Sequence, residues 1–251
     1  MGELIHNTDV IKELDELGIE TLNKLPSEGV GICVIRSHGE SDDMFEKIQQ
    51  LGFEIVDLTC LDVKKVQNTA VDFVKDNYFL IILGKAQHPE VKAIYKNASK
   101  WANDNILIAS DIETLKVNEN KIKSAKKVGV VVQTTQTKEF LFEVIDYLSA
   151  ITKFLTVANT ICPSCTLRQE EAKNLAKNSD LMVVVGSKKS ANTTHLAQLL
   201  QKITPTIHIE NEYELDNFKD LIHKSNLIGV TAGASTPQNV IDKVIHKLER
   251  T

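Results

Sequence analysis

Short runs of apolar, often β-branched residues recur along the chain, and each is followed by turn residues and then by an amphipathic segment. The runs cover residues 31–37, 53–58, 77–84, 105–110, 127–133, 180–186, 206–209 and 226–233. Strands that are apolar at nearly every position are typical of parallel sheets covered by helices on both faces. The pattern therefore predicts an α/β protein built on parallel sheets.

The segments between these strands place apolar residues at i, i+3, i+4 and i+7, which predicts helices. The clearest helical segments are 43–51, 64–74, 90–102, 138–151, 168–178, 195–203 and 238–248. No low-complexity linker separates them, and no clear internal repeat is visible. The elements fall into three successive α/β lobes, which we place at residues 1–60, 61–158 and 159–251.

Polar residues follow six of the predicted strands. They are His38-Gly39, Thr59-Cys60, His88 with Glu90, Thr134-Thr135, Ser190 with Asn192, and Thr231 to Ser235. Ligands of parallel sheets collect where strands end and helices begin. These positions therefore predict one central site.

Composition and charge narrow the class of protein. Hydrophobic residues make up 42% and charged residues 25%, with a net charge of -5 and a pI near 5.8. This negative net charge gives no indication of a basic surface that would bind nucleic acid or an anionic membrane. No apolar stretch reaches the ~18–20 residues that span a bilayer, and the charged first residues do not form a signal peptide. We expect a cytoplasmic protein.

The four cysteines would then lie in a reducing compartment, where a metal or catalytic role is favoured over disulfides. Cys162 and Cys165 form a C-x-x-C pair, and Cys60 ends a predicted strand. Two thiolates at that spacing can face one metal centre. The pair could also be a redox dithiol, and Cys33 alone is most simply a small buried apolar residue.

Three histidines and one glutamate stand in short polar motifs. His6 lies in LIHN, His38 in SHGES, and His88 with Glu90 in HPEV. A structural hydrogen-bonding role is an equal alternative for each histidine. Glu90 could donate a proton if burial raises its pKa; otherwise it complements the dipole of a helix.

The hydroxyl and amide side chains at strand ends also allow two interpretations. Thr134, Thr135, Ser190, Asn192 and Ser235 could each cap a helix. Helix N-termini also bind anions, so converging hydroxyls and imidazoles could hold a diphosphate. There is no P-loop and no G-x-G-x-x-G, so nucleotide binding has no support.

Taken in order, these motifs resemble the hydroxymethylbutenyl diphosphate reductase (LytB/IspH) family. The matching segments are GELIHN, SHGES, TC, GKAQHPEV, QTT, TICPSCTLRQ, VVGSKKSANTTHL and GVTAGASTPQNVIDKVI. They run from residue 2 to about residue 245, which is nearly the whole chain.

The resemblance implies three lobes in a trefoil arrangement around a 4Fe–4S cluster with an open iron. It implies removal of the hydroxyl of 4-hydroxy-3-methylbut-2-enyl diphosphate to give isopentenyl and dimethylallyl diphosphate. This is the last step of the methylerythritol phosphate route to isoprenoids. The expected partners are the diphosphate substrate and an electron donor such as ferredoxin or flavodoxin.

The resemblance also implies roles for individual residues. Cys60 and Cys162 would bind the cluster, and the diphosphate would be held by His6, His38, His88, Ser190, Asn192 and Ser235. Glu90 would deliver the proton, with Thr134 and Thr135 near the substrate hydroxyl.

The chain also departs from the family pattern. Family members open with a strand and a G-F-C-x-G-V turn that carries the first cluster cysteine, whereas this sequence starts at the later I-H-N motif. We therefore expect the first lobe to lack a strand, a helix and one thiolate. The sequence is either incomplete, or a divergent paralogue in which Cys165, or less simply Cys33, replaces the ligand, or a cluster-free remnant.

Other departures lie near the expected metal. Ala191 replaces a hydroxyl residue of the diphosphate grip, and Leu61, Ser164 with Cys165, and Leu167 change residues beside the cluster cysteines. Two alternatives to the reductase remain open. The chain could be a cluster-binding subunit that needs a separate polypeptide, or it could reduce a different substrate.

Overall fold

Strands and helices alternate through the computed structural model, which describes residues 2–5, 7–102 and 105–250. The strands are β1 (Ile32–Ile35), β2 (Glu54–Asp57), β3 (Phe79–Leu83), β4 (Ile106–Ala109), β5 (Val128–Val132), β6 (Leu155–Val157), β7 (Leu181–Val185), β8 (Thr206–Ile209) and β9 (Ile228–Ala232). The helices are α1 (Thr8–Glu16), α2 (Asp42–Gln50), α3 (Leu61–Lys75), α4 (Pro89–Ser99), α5 (Ile112–Val117), α6 (Glu119–Ser124), α7 (Lys138–Ile151), α8 (Pro163–Ala176), α9 (Ala191–Leu200), α10 (Lys219–His223) and α11 (Gln238–Leu248), and a 3-10 helix spans Glu212–Phe218. The α/β class is confirmed.

The strands form three parallel sheets, with the orders β1-β2, β4-β3-β5-β6 and β8-β7-β9. The chain divides into two compact units, Met1–Leu4 with Leu22–Cys162 and Ile5–Thr21 with Pro163–Thr251. The first two sheets belong to the first unit and the third sheet to the second. The lobe boundaries at residues 60 and 158 stay predictions.

The four-stranded sheet is covered on both faces, which explains why its central strands are apolar throughout. Every residue of β3 and β5 is buried. Alternate side chains of β3 pack against α3 and α4 on one face and against α5, α6 and α7 on the other. The continuous apolar runs in the sequence therefore arise from two separate cores.

The three-stranded sheet repeats this layering in the second unit. One face of β7 packs against α8 and α9. The other face packs against the 3-10 helix, α10 and α11. The order β8-β7-β9 repeats the order β4-β3-β5 of the larger sheet, although no sequence repeat is evident.

The two-stranded sheet has one packed face and one exposed face. Cys33 and Ile35 of β1 pack with Ile48 of α2. On the opposite side Ile32 is 61% exposed, and Leu58 is 50% exposed. Parallel strands are normally buried on both faces, so this apolar surface is unusual.

Local chemistry explains where the elements differ from the predicted ones. The strand β6 was not predicted because it has only three residues. The helix α8 begins at Pro163 rather than at residue 168, since proline is well suited to a first helical position. The helix α9 begins at Ala191 rather than at residue 195 because Ser190 caps it.

Every helix within residues 2–5, 7–102 and 105–250 is too short or too polar to cross a lipid bilayer.

Candidate active site

Glu90 and Thr134 meet where the strand order of the four-stranded sheet reverses. The strands β3 and β5 are adjacent, but the helices that follow them lead to opposite sides of this pair. Ligands of parallel α/β sheets bind at the carboxyl ends of the strands at such a switch point. Glu90 is the second residue of α4, which follows β3, and Thr134 closely follows the end of β5.

Thr134 binds both oxygens of the Glu90 carboxyl group. Its backbone N–H donates to Oε1 at 2.7 Å and its hydroxyl donates to Oε2 at 2.8 Å. Glu90 is only 1% exposed. Burial raises the pKa of Glu90 from 4.5 to about 7, while the two hydrogen bonds from Thr134 act to lower it. A carboxyl group with such a pKa can donate a proton at neutral pH.

The raised pKa of Glu90 predicts a pH-dependent stability. Below pH 4.5 the carboxyl is protonated in the folded and the unfolded chain. As the pH rises from there through about 7, the unfolded chain loses this proton first, so the contribution to stability is lost. The loss amounts to about 3 kcal/mol. Glu90→Gln has no such ionisation. Its free energy of unfolding, measured with urea, should therefore rise by this amount relative to that of the wild type between pH 4.5 and 8.

Glu113→Gln is the matched control for this measurement. Glu113 holds the same second position in α5 but is exposed. Its substitution should change the free energy of unfolding by less than about 1 kcal/mol across this range, because the ion pair that Glu113 makes with Lys116 is exposed. A Glu90→Gln difference that stays constant with pH would contradict the proposed burial of an ionisable carboxyl group.

His88 caps the helix that carries Glu90. Its Nδ1 accepts the backbone N–H of Glu90 at 3.2 Å, and Pro89 occupies the first helical position. An accepting Nδ1 leaves the proton of a neutral imidazole on Nε2. His88 therefore presents an N–H donor on the side opposite the helix, which suits an anionic ligand.

His38 packs directly against His88. The two rings are T-shaped, with centroids 5.3 Å apart and planes at 80°. His38 lies in the turn after β1, where Gly39 adopts φ +70°. A Cβ on Gly39 would lie 2.8 Å from Gln67 Nε2 and 2.9 Å from Thr59 Cγ2, so only glycine fits. The structure thus brings together two of the residues that are predicted to bind the diphosphate.

Gln133 is a further residue of this site; it belongs to the QTT segment, but the sequence assigned it no role. It is fully buried, and its Nε2 donates to Thr135 Oγ1 at 3.0 Å. Its Oε1 accepts the backbone N–H of Lys85 at 3.2 Å. Gln133 therefore fixes Thr135 and joins the loops that follow β3 and β5. Its place directly after a buried strand was the available signal.

Ser190 and Asn192 lie at the start of α9 in the second compact unit. Ser190 Oγ accepts the backbone N–H of Thr193 at 3.4 Å and caps the helix. Asn192 Nδ2 and Thr193 Oγ1 are buried without a hydrogen-bond partner within the described residues. Buried polar atoms of this kind are usually satisfied by a ligand or water. A helix N-terminus with such donors is suited to bind an anion.

Ser235 lies on the neighbouring loop of the same sheet. The strands β7 and β9 are adjacent, and Thr236 Oγ1 donates to the Val185 carbonyl at 3.0 Å. A Cβ on Gly233 would lie 1.9 Å from Thr193 Oγ1, so this loop contacts the start of α9. The structure therefore places the loop of Ser235 next to that of Ser190 and Asn192.

The cysteines occupy four different settings. Cys60 is exposed at the N-cap of α3, Cys162 is half-buried before α8, and Cys165 is buried in the first turn of α8. Cys33 is 6% exposed within the apolar core between β1 and α2. Cys33 could bind a metal only if this core opened, which argues against it as a replacement ligand.

The sulfur donors fit an iron–sulfur cluster in chemistry, but the described residues do not bring three of them together. Thiolates are the usual ligands of such clusters. Cys60 and Cys162 belong to the first compact unit, and Cys165 belongs to the second. Across the part of the chain that the structure describes, no group of three or more His, Cys, Asp or Glu side chains is arranged to hold a metal ion.

Comparison with known proteins identifies the family. The model of the family described as LytB protein matches residues 1–249. The chain belongs to the LytB family. Its relatives include the 4-hydroxy-3-methylbut-2-enyl diphosphate reductases of Pelobacter propionicus and Geobacter sulfurreducens, which are 38% and 37% identical to it. Each alignment covers 99% of this chain and 85% of the relative.

Solved structures of LytB reductases share the fold. The (E)-4-hydroxy-3-methyl-but-2-enyl diphosphate reductase described as the terminal enzyme of the non-mevalonate pathway is 31% identical, with a TM-score of 0.69. It is matched over 100% of this chain and 87% of its own. The E-1-hydroxy-2-methyl-but-2-enyl-4-diphosphate reductase of Plasmodium falciparum is 26% identical, with a TM-score of 0.85. It is matched over 98% of this chain and 76% of its own.

The resemblance to the LytB family is therefore confirmed, and the family is one of oxidoreductases. Glu90, Thr134 and Thr135 lie at one switch point with the pair His38 and His88 nearby in the same unit. His6 lies outside the described residues. The roles of the predicted site residues stay proposals.

Proposed function

We propose that this chain removes the hydroxyl group of 4-hydroxy-3-methylbut-2-enyl diphosphate and gives isopentenyl and dimethylallyl diphosphate, the terminal step of the methylerythritol phosphate pathway. The observation that supports it best is the buried Glu90 carboxyl, whose pKa of about 7 keeps a proton available beside Thr134. The choice of substrate follows the names of the relatives.

The reaction consumes two electrons and two protons, breaks the C–O bond, forms a C–H bond and releases water. A bound 4Fe–4S cluster would supply the electrons and a Lewis-acidic iron for the hydroxyl oxygen. Glu90 supplies a proton, and protonation of the leaving oxygen turns a poor leaving group into water. When Glu90 is protonated, its Oε2–H can donate to Thr134 Oγ1. The Thr134 hydroxyl can then donate its own hydrogen to the hydroxyl oxygen of the substrate.

The diphosphate is held mainly by imidazole, hydroxyl and amide donors. His88 offers Nε2–H because its Nδ1 is occupied by the Glu90 backbone, and His38 lies beside it. Ser190 offers a hydroxyl at the start of α9, and Asn192 offers a buried amide nitrogen that has no partner among the described residues; Ser235 follows β9. His6, named by the resemblance, completes the proposed set.

Cys60 and Cys162 are the proposed cluster ligands, and Cys165 is the proposed replacement for the family's N-terminal cysteine. Cys165 lies in the first turn of α8, where backbone N–H groups favour a negatively charged thiolate.

The electrons would come from a ferredoxin or flavodoxin. The cytoplasm, where such donors work, stays the expected location.

Anaerobic reconstitution tests the proposed function. The protein is incubated with iron and sulfide, freed of excess metal, and assayed with the diphosphate substrate and dithionite. We expect bound iron, broad visible absorbance, and formation of both products. A protein that binds no iron, or that binds iron and leaves the substrate intact, would exclude this function.

Substitutions of His88 separate its cap from its ligand role. Asparagine is a good N-cap, so His88→Asn should keep the stability of the protein, whereas His88→Ala should lose about 1 kcal/mol. Both should weaken binding of inorganic pyrophosphate about tenfold or more, as expected for a lost hydrogen bond to a charged group. Thermal unfolding and titration calorimetry measure the two effects. Undiminished binding by His88→Asn would remove His88 from the diphosphate site.

A second candidate is a cluster-binding subunit that works with a separate polypeptide. The exposed apolar face of the two-stranded sheet around Ile32 and Leu58 favours it, because a strand or helix from another chain could cover this face. Activity that appears only after a second polypeptide is added would support this candidate. Activity of the purified chain alone would exclude it.

A further inference from the structure

The helix α2 is capped by a side chain of α4, a helix that follows a strand of a different sheet. Its own N-cap residue, Ser41, makes no side-chain capping hydrogen bond. The backbone N–H of Asp42, the first residue of α2, instead donates to Asn97 Oδ1 at 2.9 Å. Asn97 lies in α4, 55 residues further along the chain. Capping side chains normally come from the N-cap residue itself, so this contact joins two elements that local sequence does not connect.

Asn97 occupies a position where local preferences disfavour it. It lies near the end of α4 and is only 5% exposed, among the buried residues Ile94 and Ala98. Asparagine is a poor residue for a helix interior, and a buried amide is costly unless it is hydrogen-bonded. A residue that breaks a local rule is often explained by a non-local task. The hydrogen bond from the Asp42 N–H is such a non-local contact, and it explains why an asparagine lies at this position.

Lys100 reinforces the same contact one helical turn later. Its Nζ lies 2.5 Å from Asp43 Oδ1 and 3.8 Å from Asp42 Oδ2. The end of α4 therefore contacts the start of α2 through one partly buried hydrogen bond and two ion pairs. Both helices belong to the first compact unit.

The two imidazoles of the site lie just before the first residues of these two helices. His38 lies three residues before Ser41 in the turn that leads into α2, and His88 is the N-cap of α4. The rings lie 5.3 Å apart although β1 and β3 belong to different sheets. We infer that Asn97, assisted by Lys100, is a positioning residue that holds the His38 imidazole against His88. Its importance for diphosphate binding rests on the proposed function, whereas the positioning itself does not.

The positioning can be measured in the ligand-free protein. Asn97→Leu removes the acceptor while it keeps the side-chain volume, and Asn97→Asp keeps an oxygen acceptor. We expect the imidazole NMR signals of His38 and His88 to move in Asn97→Leu and to return near their wild-type positions in Asn97→Asp. Asp111→Leu is the control, because Asp111 caps α5 in the same unit by accepting the Thr114 N–H at 2.8 Å.

Two results would overturn the inference. One is a folded Asn97→Leu protein whose histidine signals coincide with those of the wild type. The other is an equal displacement in Asp111→Leu, which would indicate a general loss of stability. If Asn97→Leu does not fold, Lys100→Met is measured instead, and unchanged histidine signals in that variant would also reject the inference.

Binding of inorganic pyrophosphate distinguishes this inference from the proposed function. Asn97→Leu should raise the dissociation constant about 2- to 30-fold, the range for loss of a helix cap, and Asn97→Asp should restore it. A wild-type protein that binds no pyrophosphate, but whose histidine signals respond to Asn97→Leu, contradicts the proposed function and supports the positioning role. Tight pyrophosphate binding with unresponsive histidine signals supports the diphosphate site and rejects the positioning role.

Discussion

Replacing Glu90 with glutamine is expected to lower kcat for reductive dehydroxylation by about 10²- to 10⁴-fold, the usual contribution of a positioned general acid. Glutamine can still accept the Thr134 N–H, so the contact between the loops after β3 and β5 should persist. What is lost is the transferable proton. Because the carboxyl group does not hold the diphosphate in our proposal, KM should change by no more than a few fold.

The pH dependence of kcat provides an independent test of the same role. The pKa of Glu90 is about 7, so the acid form is lost as the pH rises through that value, and kcat should fall with it. Glu90→Asp should retain this fall at a lower overall rate, since its carboxyl is shorter by one methylene. Glu113→Gln should keep both the rate and the pH profile. A Glu90→Gln enzyme with wild-type kcat would remove Glu90 from the chemistry.

Much of the fold could be predicted because its strands are buried on both faces. The runs around β3, β5 and β7 are apolar throughout, so their place in covered parallel sheets is visible without a structure. Elements without such a pattern were missed. The short strand β6 gains its structure from pairing with β5, and the six-residue helices α5 and α6 have too few turns to show a period.

The site was predictable only at the level of individual residues. Strand-end positions and family motifs selected Glu90 and Thr134, but no pattern shows that one residue binds both carboxyl oxygens of the other. Asn97 gave no signal because its partner, Asp42, lies 55 residues away in the sequence. Contacts of this kind depend on how the elements pack, and the sequence states only which residues are available.

Replacing Cys162 with alanine is expected to abolish iron binding and activity together. A cluster held by few thiolates has no spare protein ligand, so loss of one should prevent assembly during anaerobic reconstitution. Cys60→Ala should give the same result. Iron and sulfide content per chain, visible absorbance and turnover measure the outcome. The fold should survive in both variants because Cys60 is exposed and Cys162 is only half-buried.

The other two cysteines make this experiment decisive about the ligand set. Cys33 lies in the core of the first sheet, so Cys33→Ala should lose some stability but bind a full complement of iron. Cys165→Ser separates the two explanations for the family's N-terminal cysteine. If Cys165 has replaced it, the serine variant should lose iron as Cys162→Ala does; if a cysteine on a further segment supplies it, the loss should be small. Full iron binding by both Cys60→Ala and Cys162→Ala would reject the cluster assignment altogether, because neither proposed thiolate would then be needed to hold the iron.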